Sequence, residues 1–394
     1  MVDRAARCRA AHQDIYMLAK AIFLAQVPMT ASFEAMLPIG YLRERRLDVE
    51  YCDLSRVLYP ELGHVEGSIE GCYIRRMDSS AQFDEYVTQN ARAVFFLHIR
   101  PSPLNLRVFE TLAAHGAHIV FISWGCMPSI ETRLWQRLRR AALRPGTTFR
   151  NQLTKILSSQ RGVGHFNASF YSGTASRDSA PPSDAYVATN LPDYEQYQTI
   201  AQSMAQNGPS GRFAVFLDCA IPFHPDALMI GAVNPDAAPY QRAMMRLFER
   251  VELATGSRVI VAAHPKAKYP PAFFGDREMV AGRTAELVLR SRLVISHYST
   301  STSYAVMARK PILFAYSNAM DTNRCGYSAD HARAFSRELG AKCINVDARR
   351  YDVSISAPDE ERYRAFYYRY VTSPECERRS NGEVFLSYLD TAVQ

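Results

Sequence analysis

Hydrophobic residues in this chain occur in short runs that alternate with helical patterns, most clearly between Arg258 and Tyr316. The runs are rich in β-branched or aromatic residues and bounded by Pro, His or Ser, as buried parallel strands are. Strands that alternate with helices in this way predict a doubly wound α/β domain. The predicted strands are Val259–Ala263, Leu293–Ser296 and Ile312–Ala315, and the predicted helices are Thr284–Arg290 and Ser301–Ala308.

A second βα pattern occupies the first part of the chain and predicts another Rossmann-like domain. Its strands are Asp48–Leu54, Ala93–Ile99, His118–Ser123 and the closing strand Ala185–Thr189, and its helices are Phe33–Arg45 and Leu104–His115. The segment Gly162–Pro182 is rich in Gly, Ser, Ala and Pro, so we predict a loop or exposed linker there. His98 ends a strand, and we expect it to be a hydrogen-bonded core histidine.

The boundary between the two domains is predicted near Gly208, just before the apolar strand Arg212–Leu217. Two terminal helices, Glu360–Val371 and Gly382–Val393, are expected to pack back on the first domain. The predicted domains are therefore 1–207, 208–356 and the helical segment 357–394. A chain of 394 residues suits this division, because it is too long for one ordinary domain.

Composition narrows the class of protein. Hydrophobic residues make up 47% of the chain and charged residues 22%, as in a soluble globular protein. The 46 basic and 39 acidic residues give a net charge of +7, which favours an anionic or phosphorylated partner but does not argue for nucleic acid. The eight cysteines include no CxxC pair, so we expect reduced thiols in a cytoplasmic protein.

Two segments bear on contact with membranes. The apolar stretch Ile15–Val27 is interrupted by Lys20 and Gln26 and is shorter than the roughly 20 residues of a spanning helix, so we expect the first ordered element of a domain. The basic helical region Glu131–Arg150 is expected to be a solvated face. Its alternative role is contact with a polyanionic acceptor or with anionic lipid at the inner face of the inner membrane.

Two polar clusters follow predicted strands of the second domain. The first is His264-Pro265-Lys266, and the second is Ser299-Thr300-Ser301 where a helix begins. Ligands of such sheets bind beyond the carboxyl ends of the strands, and a helix start holds phosphate readily. The hydroxyls would serve equally well as plain helix caps. If the two strands are neighbours, the cations and hydroxyls converge, and we predict an anion site.

These residues also carry a resemblance. The segments RVIVAAHPKAKYP and ELVLRSRLVISHYSTSTSYAVMARKPILF resemble the second domain of bacterial glycosyltransferases with the two-domain GT-B fold. The likeness covers roughly 213–316 and is greatest to enzymes that use CMP-activated sugars: the sialyltransferases, polysialyltransferases and Kdo transferases of surface polysaccharides. It implies two Rossmann-like domains that face a cleft, with an acceptor-binding first domain.

The resemblance also implies roles for individual residues. His264-Pro265 and Ser299-Thr300-Ser301 would bind the nucleotide phosphate and the cytidine part of the donor, and His264 would also take part in catalysis. His297 would touch the nucleotide ribose or base. Asp218 matches the general base that activates the acceptor hydroxyl, although Asp218-Cys219-Ala220 stands where those enzymes often have two acids and a Gly. His224 and Asp226 are rival bases.

The chemistry implied is a transfer of sialic acid, Kdo or a related acidic sugar from a CMP-sugar to a hydroxyl of an oligosaccharide or glycolipid. A leaving monophosphate can be stabilised by directed cations without a metal, and the chain has no Asp-x-Asp motif. We therefore expect no metal and no cofactor. Three alternatives remain open: a UDP- or GDP-sugar donor, a sugar-nucleotide epimerase or hydrolase of the same fold, and a non-catalytic nucleotide-binding scaffold.

Overall fold

The computed structural model describes residues 20–60, 68–99, 101–102, 105–130, 165–204, 211–224, 233–265, 268–320 and 329–392. These residues form two parallel sheets, one of seven strands and one of six, and helices connect the strands. The predicted pair of Rossmann-like domains is confirmed by these two sheets. In each sheet the strand order reverses beside the domain's first strand, as it does in doubly wound folds.

The first sheet has the order β3-β2-β1-β4-β5-β6-β7, and every neighbouring pair is parallel. Its strands are β1 Ala21–Ala25, β2 Val49–Asp53, β3 Ile74–Arg76, β4 Val94–Leu97, β5 His118–Ser123, β6 Phe166–Ser172 and β7 Ser183–Thr189. Its helices are α1 Ala31–Glu34, α2 Ile39–Glu44, α3 Ser55–Leu58, α4 Ser80–Gln89, α5 Leu106–Ala114 and α6 Thr174–Asp178. The central strands are wholly buried, because residues such as Phe95 and Phe96 pack on opposite faces of the sheet.

The second sheet has the order β10-β9-β8-β11-β12-β13 and is also parallel throughout. Its strands are β8 Phe213–Leu217, β9 Arg258–Ala263, β10 Met279–Ala281, β11 Leu293–Ser296, β12 Ile312–Tyr316 and β13 Lys342–Asn345. The helices before and within it are α7 Pro192–Met204, α8 Ala237–Thr255, α9 Thr284–Arg290, α10 Thr302–Met307 and α11 Ala329–Leu339.

Helix α8 illustrates how the sequence produces these elements. Its buried residues recur at helical spacing, so one face packs on the sheet. Those residues are Tyr240, Ala243, Met244, Leu247, Phe248 and Val251. The helix ends at Gly256, which adopts φ 62°, a left-handed conformation that a residue without Cβ reaches at little cost.

The C-terminal helices divide between the two domains. Helix α12 (Glu360–Phe366), with the π-helical turn Tyr367–Val371, packs in the core of the second domain through Tyr363 and Phe366. Helix α13 (Asn381–Ala392) returns to the first domain, where Phe385 lies 4.9 Å from Phe96 between ring centroids. The predicted return of the C-terminus to the first domain is confirmed for α13.

Hydrogen bonds of a buried asparagine hold the C-terminal segment against the first domain. Asn190, just after β7, donates from Nδ2 to the carbonyl of Arg379 at 2.7 Å and accepts from the Thr372 hydroxyl at 2.6 Å. Asn381 completes the connection, since its side chain bonds both the N–H and the carbonyl of Asn190. The cluster joins α13 and the segment before it to the strand that closes the first sheet.

Several sequence predictions need correction. The predicted helix Phe33–Arg45 is two short helices, because Pro38 interrupts the pattern at the start of α2. The predicted linker Gly162–Pro182 contains β6 and α6, whose buried serines hide the strand pattern. Strand β10 was not predicted. The basic region 131–150 and the predicted domain boundary at 207 and 208 lie outside the described residues.

None of the helices in the described part of the chain combines the length and apolar character that crossing a membrane would require.

Candidate functional site

The candidate site lies where the strand order of the second sheet reverses, between β8 and β11. Such reversal points leave a crevice at the carboxyl ends of the strands, where α/β proteins hold their ligands. Asp218 and Cys219 follow β8, His264 follows β9, and Ser299 follows β11 after two intervening residues. The two polar clusters predicted from the sequence therefore lie at the same edge of the sheet.

Their arrangement differs from the prediction in one respect. β9 and β11 are not neighbours, because β8 pairs with both of them. The two clusters are thus separated by two strand spacings, about 10 Å between strand axes. Asp218 and Cys219, at the end of β8, lie between them.

Asp218 joins the ends of β8 and β9. Its side chain is 4% exposed and accepts hydrogen bonds from the N–H of Ala220 at 2.9 Å, the N–H of His264 at 3.0 Å and the hydroxyl of Tyr269 at 2.7 Å. Burial raises the pKa of the Asp218 carboxyl, although these donors oppose the shift. The carboxylate therefore holds the loop after β8 and places His264.

The backbone of Ala220 shows how tightly this loop is folded. Ala220 adopts φ 50°, in the left-handed region that favours glycine, and is fully buried. Strain of this kind persists only where the surroundings fix the backbone, and it concentrates at ligand sites.

On the other side of β8, Cys219 lies next to the serine cluster. Burial raises the pKa of the Cys219 thiol to about 12, and the nearby Tyr298 N–H and Ser299 hydroxyl oppose that shift. The Cys219 Sγ itself donates to the carbonyl of Leu217 at 3.9 Å. Ser299 Oγ also accepts from the N–H of Ser301 at 3.2 Å. The Ser301 side chain makes no capping hydrogen bond to α10, so it is not the plain helix cap that the sequence allows.

Exposure separates the residues that can reach a ligand from those that cannot. Thr300 and Pro265 are exposed, and Ser299, Ser301 and His264 are half-buried. Lys266 lies outside the described residues, as does Asp226. The edge therefore presents three consecutive hydroxyl side chains and one imidazole.

A second imidazole stands beside His264. The ring of His224, which follows the short 3₁₀ turn Ile221–Phe223, lies 4.8 Å from the His264 ring between centroids. His224 is also half-buried. Of the three bases that the sequence offers, Asp218 is buried and His224 lies at the surface of the site.

His297 does not face this edge. It is 0% exposed, its Nδ1 lies 2.5 Å from the carbonyl of Ala315, and its Nε2 lies 2.9 Å from the Tyr240 hydroxyl. Burial lowers the pKa of its imidazole to about 4. The predicted contact of His297 with the nucleotide is therefore corrected: it is a core histidine that fixes the end of β11 to β12 and α8.

The first sheet carries its own group of side chains at the corresponding reversal point, between β1 and β4. His98, directly after β4, is exposed, contrary to the predicted core histidine. Its ring lies 6.4 Å from that of Phe33 in α1 and 6.3 Å from that of Trp124, directly after β5. Sequence reasoning missed both aromatic residues, although Trp124 follows a predicted strand directly.

Comparisons of this chain with known proteins give matches among solved structures only. No family model matches it, and no curated protein matches it. Solved structures do match. The S. aureus MnaA–UDP structure has a TM-score of 0.47 and 11% identity and covers 93% of this chain and 93% of its own.

Two further solved structures are similar at the same level. The wall teichoic acid polymerase TagF gives a TM-score of 0.46 with 12% identity over 97% of this chain and 90% of its own. The UDP-GlcNAc 2-epimerase from Methanocaldococcus jannaschii gives 0.46 with 11% identity over 95% and 99%. Likenesses this distant carry no argument, so the fold assignment rests on the two strand orders.

Proposed function

We propose that the protein is a glycosyltransferase that moves a sugar from a nucleotide-sugar donor, held at the carboxyl end of the second sheet, to a hydroxyl of a glycan acceptor. One observation carries this proposal. Three hydroxyl side chains and the His264 imidazole border the crevice at the carboxyl ends of β9, β8 and β11, and Asp218, which follows the strand between them, accepts from the backbone N–H of His264.

The chemistry of these groups suits a leaving phosphate. When the bond between the anomeric carbon and the phosphate oxygen breaks, the electron pair stays on that oxygen and negative charge grows there. Hydroxyls of Ser299, Thr300 and Ser301 can donate to phosphate oxygens, and a protonated His264 would add a charge-assisted hydrogen bond. Pro265 borders the same turn, and Lys266 is proposed as a further cation. The proposed reaction uses no metal and no cofactor.

The acceptor hydroxyl must lose its proton as its oxygen joins the anomeric carbon. Asp218 is the base that the sequence predicts, but its carboxylate already accepts three hydrogen bonds and is 4% exposed. His224 is half-buried beside His264, so an acceptor proton can reach it. We therefore propose that Asp218 positions His264, and that His224 is the better candidate for the base.

The next question is which nucleotide the donor sugar carries. The sequence resemblance favours a CMP-sugar and leaves a UDP- or GDP-sugar as the alternative. The similar solved structures include a UDP-GlcNAc 2-epimerase and a complex with UDP, but at this distance they do not decide the donor. The proposal accordingly commits to a nucleotide sugar, and CMP-sugars, UDP-sugars and GDP-sugars are its named donors.

A nucleotide panel tests this proposal. Because a ligand that binds only the folded state raises the melting temperature, CMP, UDP and GDP should be compared by thermal unfolding. At least one should raise the melting temperature of the wild type, and the shift should be lost in His264→Ala. The matched control is His115→Ala, which changes a histidine of the other domain that contacts Asp84. No shift with any of the three would remove the basis of the proposal.

A sugar-nucleotide epimerase or hydrolase is the second candidate, since one fold can host both activities. This candidate does not require a base for a glycan hydroxyl, which agrees with the burial of Asp218, the base that the sequence predicts. Incubation of the protein with a nucleotide sugar and no acceptor separates the two. Release of free sugar or formation of an epimer without an acceptor supports this second candidate. Consumption of the nucleotide sugar only when a glycan acceptor is present supports transfer.

A further inference from the structure

We infer that Phe33, His98 and Trp124 form a binding site for one pyranose ring, at the carboxyl end of the first sheet. This inference rests on the proposed function, because it names the part of the protein that would hold the sugar acceptor. It concerns a different sheet from the proposed nucleotide site, so the two can be tested separately.

The position of the three residues is the first argument. The first sheet reverses its strand order between β1 and β4, and ligands of α/β sheets bind at such reversal points. His98 follows β4 directly, Trp124 follows the neighbouring β5 directly, and Phe33 lies in the helix after β1. Three adjacent strands thus deliver one side chain each to the same edge.

The chemistry of the group is the second argument. An exposed imidazole lies 6.4 Å and 6.3 Å from two half-buried aromatic rings, measured between centroids. Aromatic faces offer apolar area for the C–H face of a sugar ring, and a polar group placed beside them can hydrogen-bond a ring hydroxyl. An apolar surface with one polar group suits a neutral polyhydroxylated ring.

The rings are also held in place, which reduces the cost of ordering them on binding. Trp124 donates from its indole Nε1 to the hydroxyl of Thr189 at 2.9 Å. The N–H of Phe33 donates to the Thr30 hydroxyl at 3.2 Å, and its ring packs edge-on against Tyr51. A small apolar cavity lies under the group, and Phe33 and His98 help to line it.

Fluorescence of Trp124 provides the test. The chain has two tryptophans, so the variant Trp135→Phe leaves Trp124 as the sole indole reporter. Methyl pyranosides of glucose, galactose, mannose and N-acetylglucosamine should be titrated into this variant, with and without a saturating nucleotide. We expect a saturable change in emission with at least one of them, and none with sorbitol, which has hydroxyls but no ring.

Two variants in the same background assign the binding. Phe33→Leu, which keeps an apolar side chain but removes the aromatic face, and His98→Ala should each weaken binding roughly fivefold, the size expected for one lost contact. His115→Ala is the matched control, and it should bind as the background does. The melting temperature of each variant shows whether it has folded.

The outcomes separate this inference from the nucleotide site. If no pyranoside changes Trp124 emission under either condition, the ring site does not exist, whether or not a nucleotide raises the melting temperature. If emission responds to the nucleotide alone, or if binding survives both variants unchanged, the inference is overturned as well. A pyranoside response in a protein that binds no nucleotide would support the ring site and count against the proposed transfer reaction.

Discussion

The backbone N–H of His264 donates a 3.0 Å hydrogen bond to Oδ2 of Asp218, across the carboxyl ends of two neighbouring strands. A buried carboxylate thereby sets the position of the histidine that borders the proposed phosphate site. Asp218→Asn should disturb this arrangement, because the new amide N–H₂ group must face one of three hydrogen-bond donors.

We expect Asp218→Asn to lower the free energy of unfolding by about 1–3 kcal/mol, the usual cost of a buried polar group without its partner. Urea unfolding measures this change. Tyr269→Phe is the milder control, since it removes one of the donors and leaves the carboxylate in place. An Asp218→Asn variant of normal stability that has lost all turnover would instead identify Asp218 as the acceptor base.

Asp193 in α7 should make stability depend on pH. Burial raises the pKa of its carboxyl from 3.8 to about 6, and the hydroxyl of Ser303 donates to it at 2.5 Å. The native state therefore binds this proton before the unfolded state does. Above pH 6 the buried Asp193 carboxylate lowers the free energy of unfolding. As the pH falls toward 3.8 the carboxyl takes up its proton, and the free energy of unfolding rises by at most about 3 kcal/mol.

Asp193→Asn removes that titration while it keeps a hydrogen-bond acceptor for Ser303. The variant should unfold at a higher temperature than the wild type at pH 8, and the difference should shrink toward zero near pH 4. Asp390→Asn, at an exposed acid of α13, should show no such trend. A difference between Asp193→Asn and wild type that is constant over this range would contradict the assignment.

His297 should act in the opposite direction. Its pKa falls from 6.5 to about 4 because the ring is buried, so the unfolded state takes up this proton first. The contribution of the neutral His297 ring to the free energy of unfolding is fully present above pH 6.5. It is lost as the pH falls to 4, which lowers the free energy of unfolding by about 3 kcal/mol. His297→Gln should therefore be most destabilised relative to wild type at pH 7, and the gap should narrow at pH 4. Denaturant unfolding at both values measures it, and a gap that widens in acid would contradict a neutral core histidine.

Asn190 should contribute much of the free energy that holds the C-terminal segment to the first domain. Asn190→Ala leaves the carbonyl of Arg379 and the buried hydroxyl of Thr372 without their partner. We expect a loss of about 2–4 kcal/mol in the free energy of unfolding. The control Asn318→Ala, at an exposed position, should change it by less than about 0.5 kcal/mol. Equal effects of the two substitutions would contradict this role.

Many of the helices and strands could be predicted from the local pattern of apolar and polar residues. The helix Thr284–Arg290 and the strand Leu293–Ser296 have the predicted bounds, because each is an apolar segment whose polar neighbours end it sharply. Strand β6 was missed because Ser169 and Ser172 are buried in it, and a pattern of apolar residues cannot reveal a buried serine. The Ser169 hydroxyl is satisfied by Ser183 on the next strand, a partner that only the sheet pairing brings near.

The candidate site was only partly predictable, for a related reason. Local sequence places His264 and Ser299 after strands, but the order of strands in the sheet decides what lies between them. Because β8 inserts between β9 and β11, Asp218 and Cys219 lie between the clusters, and Asp218 bonds the backbone of His264. The burial of His297 likewise depends on Tyr240 and Ala315, both distant in sequence.

The most direct test of the central claim is hydrogen–deuterium exchange of the backbone with and without the nucleotide that raises the melting temperature. Binding at the reversal point of the second sheet should slow exchange in the segments Cys219–His224 and Ser299–Ser303. Helix α4 of the first domain should be unaffected, which makes it the internal control. Protection confined to the first sheet, with those two segments unchanged, would contradict the proposed site.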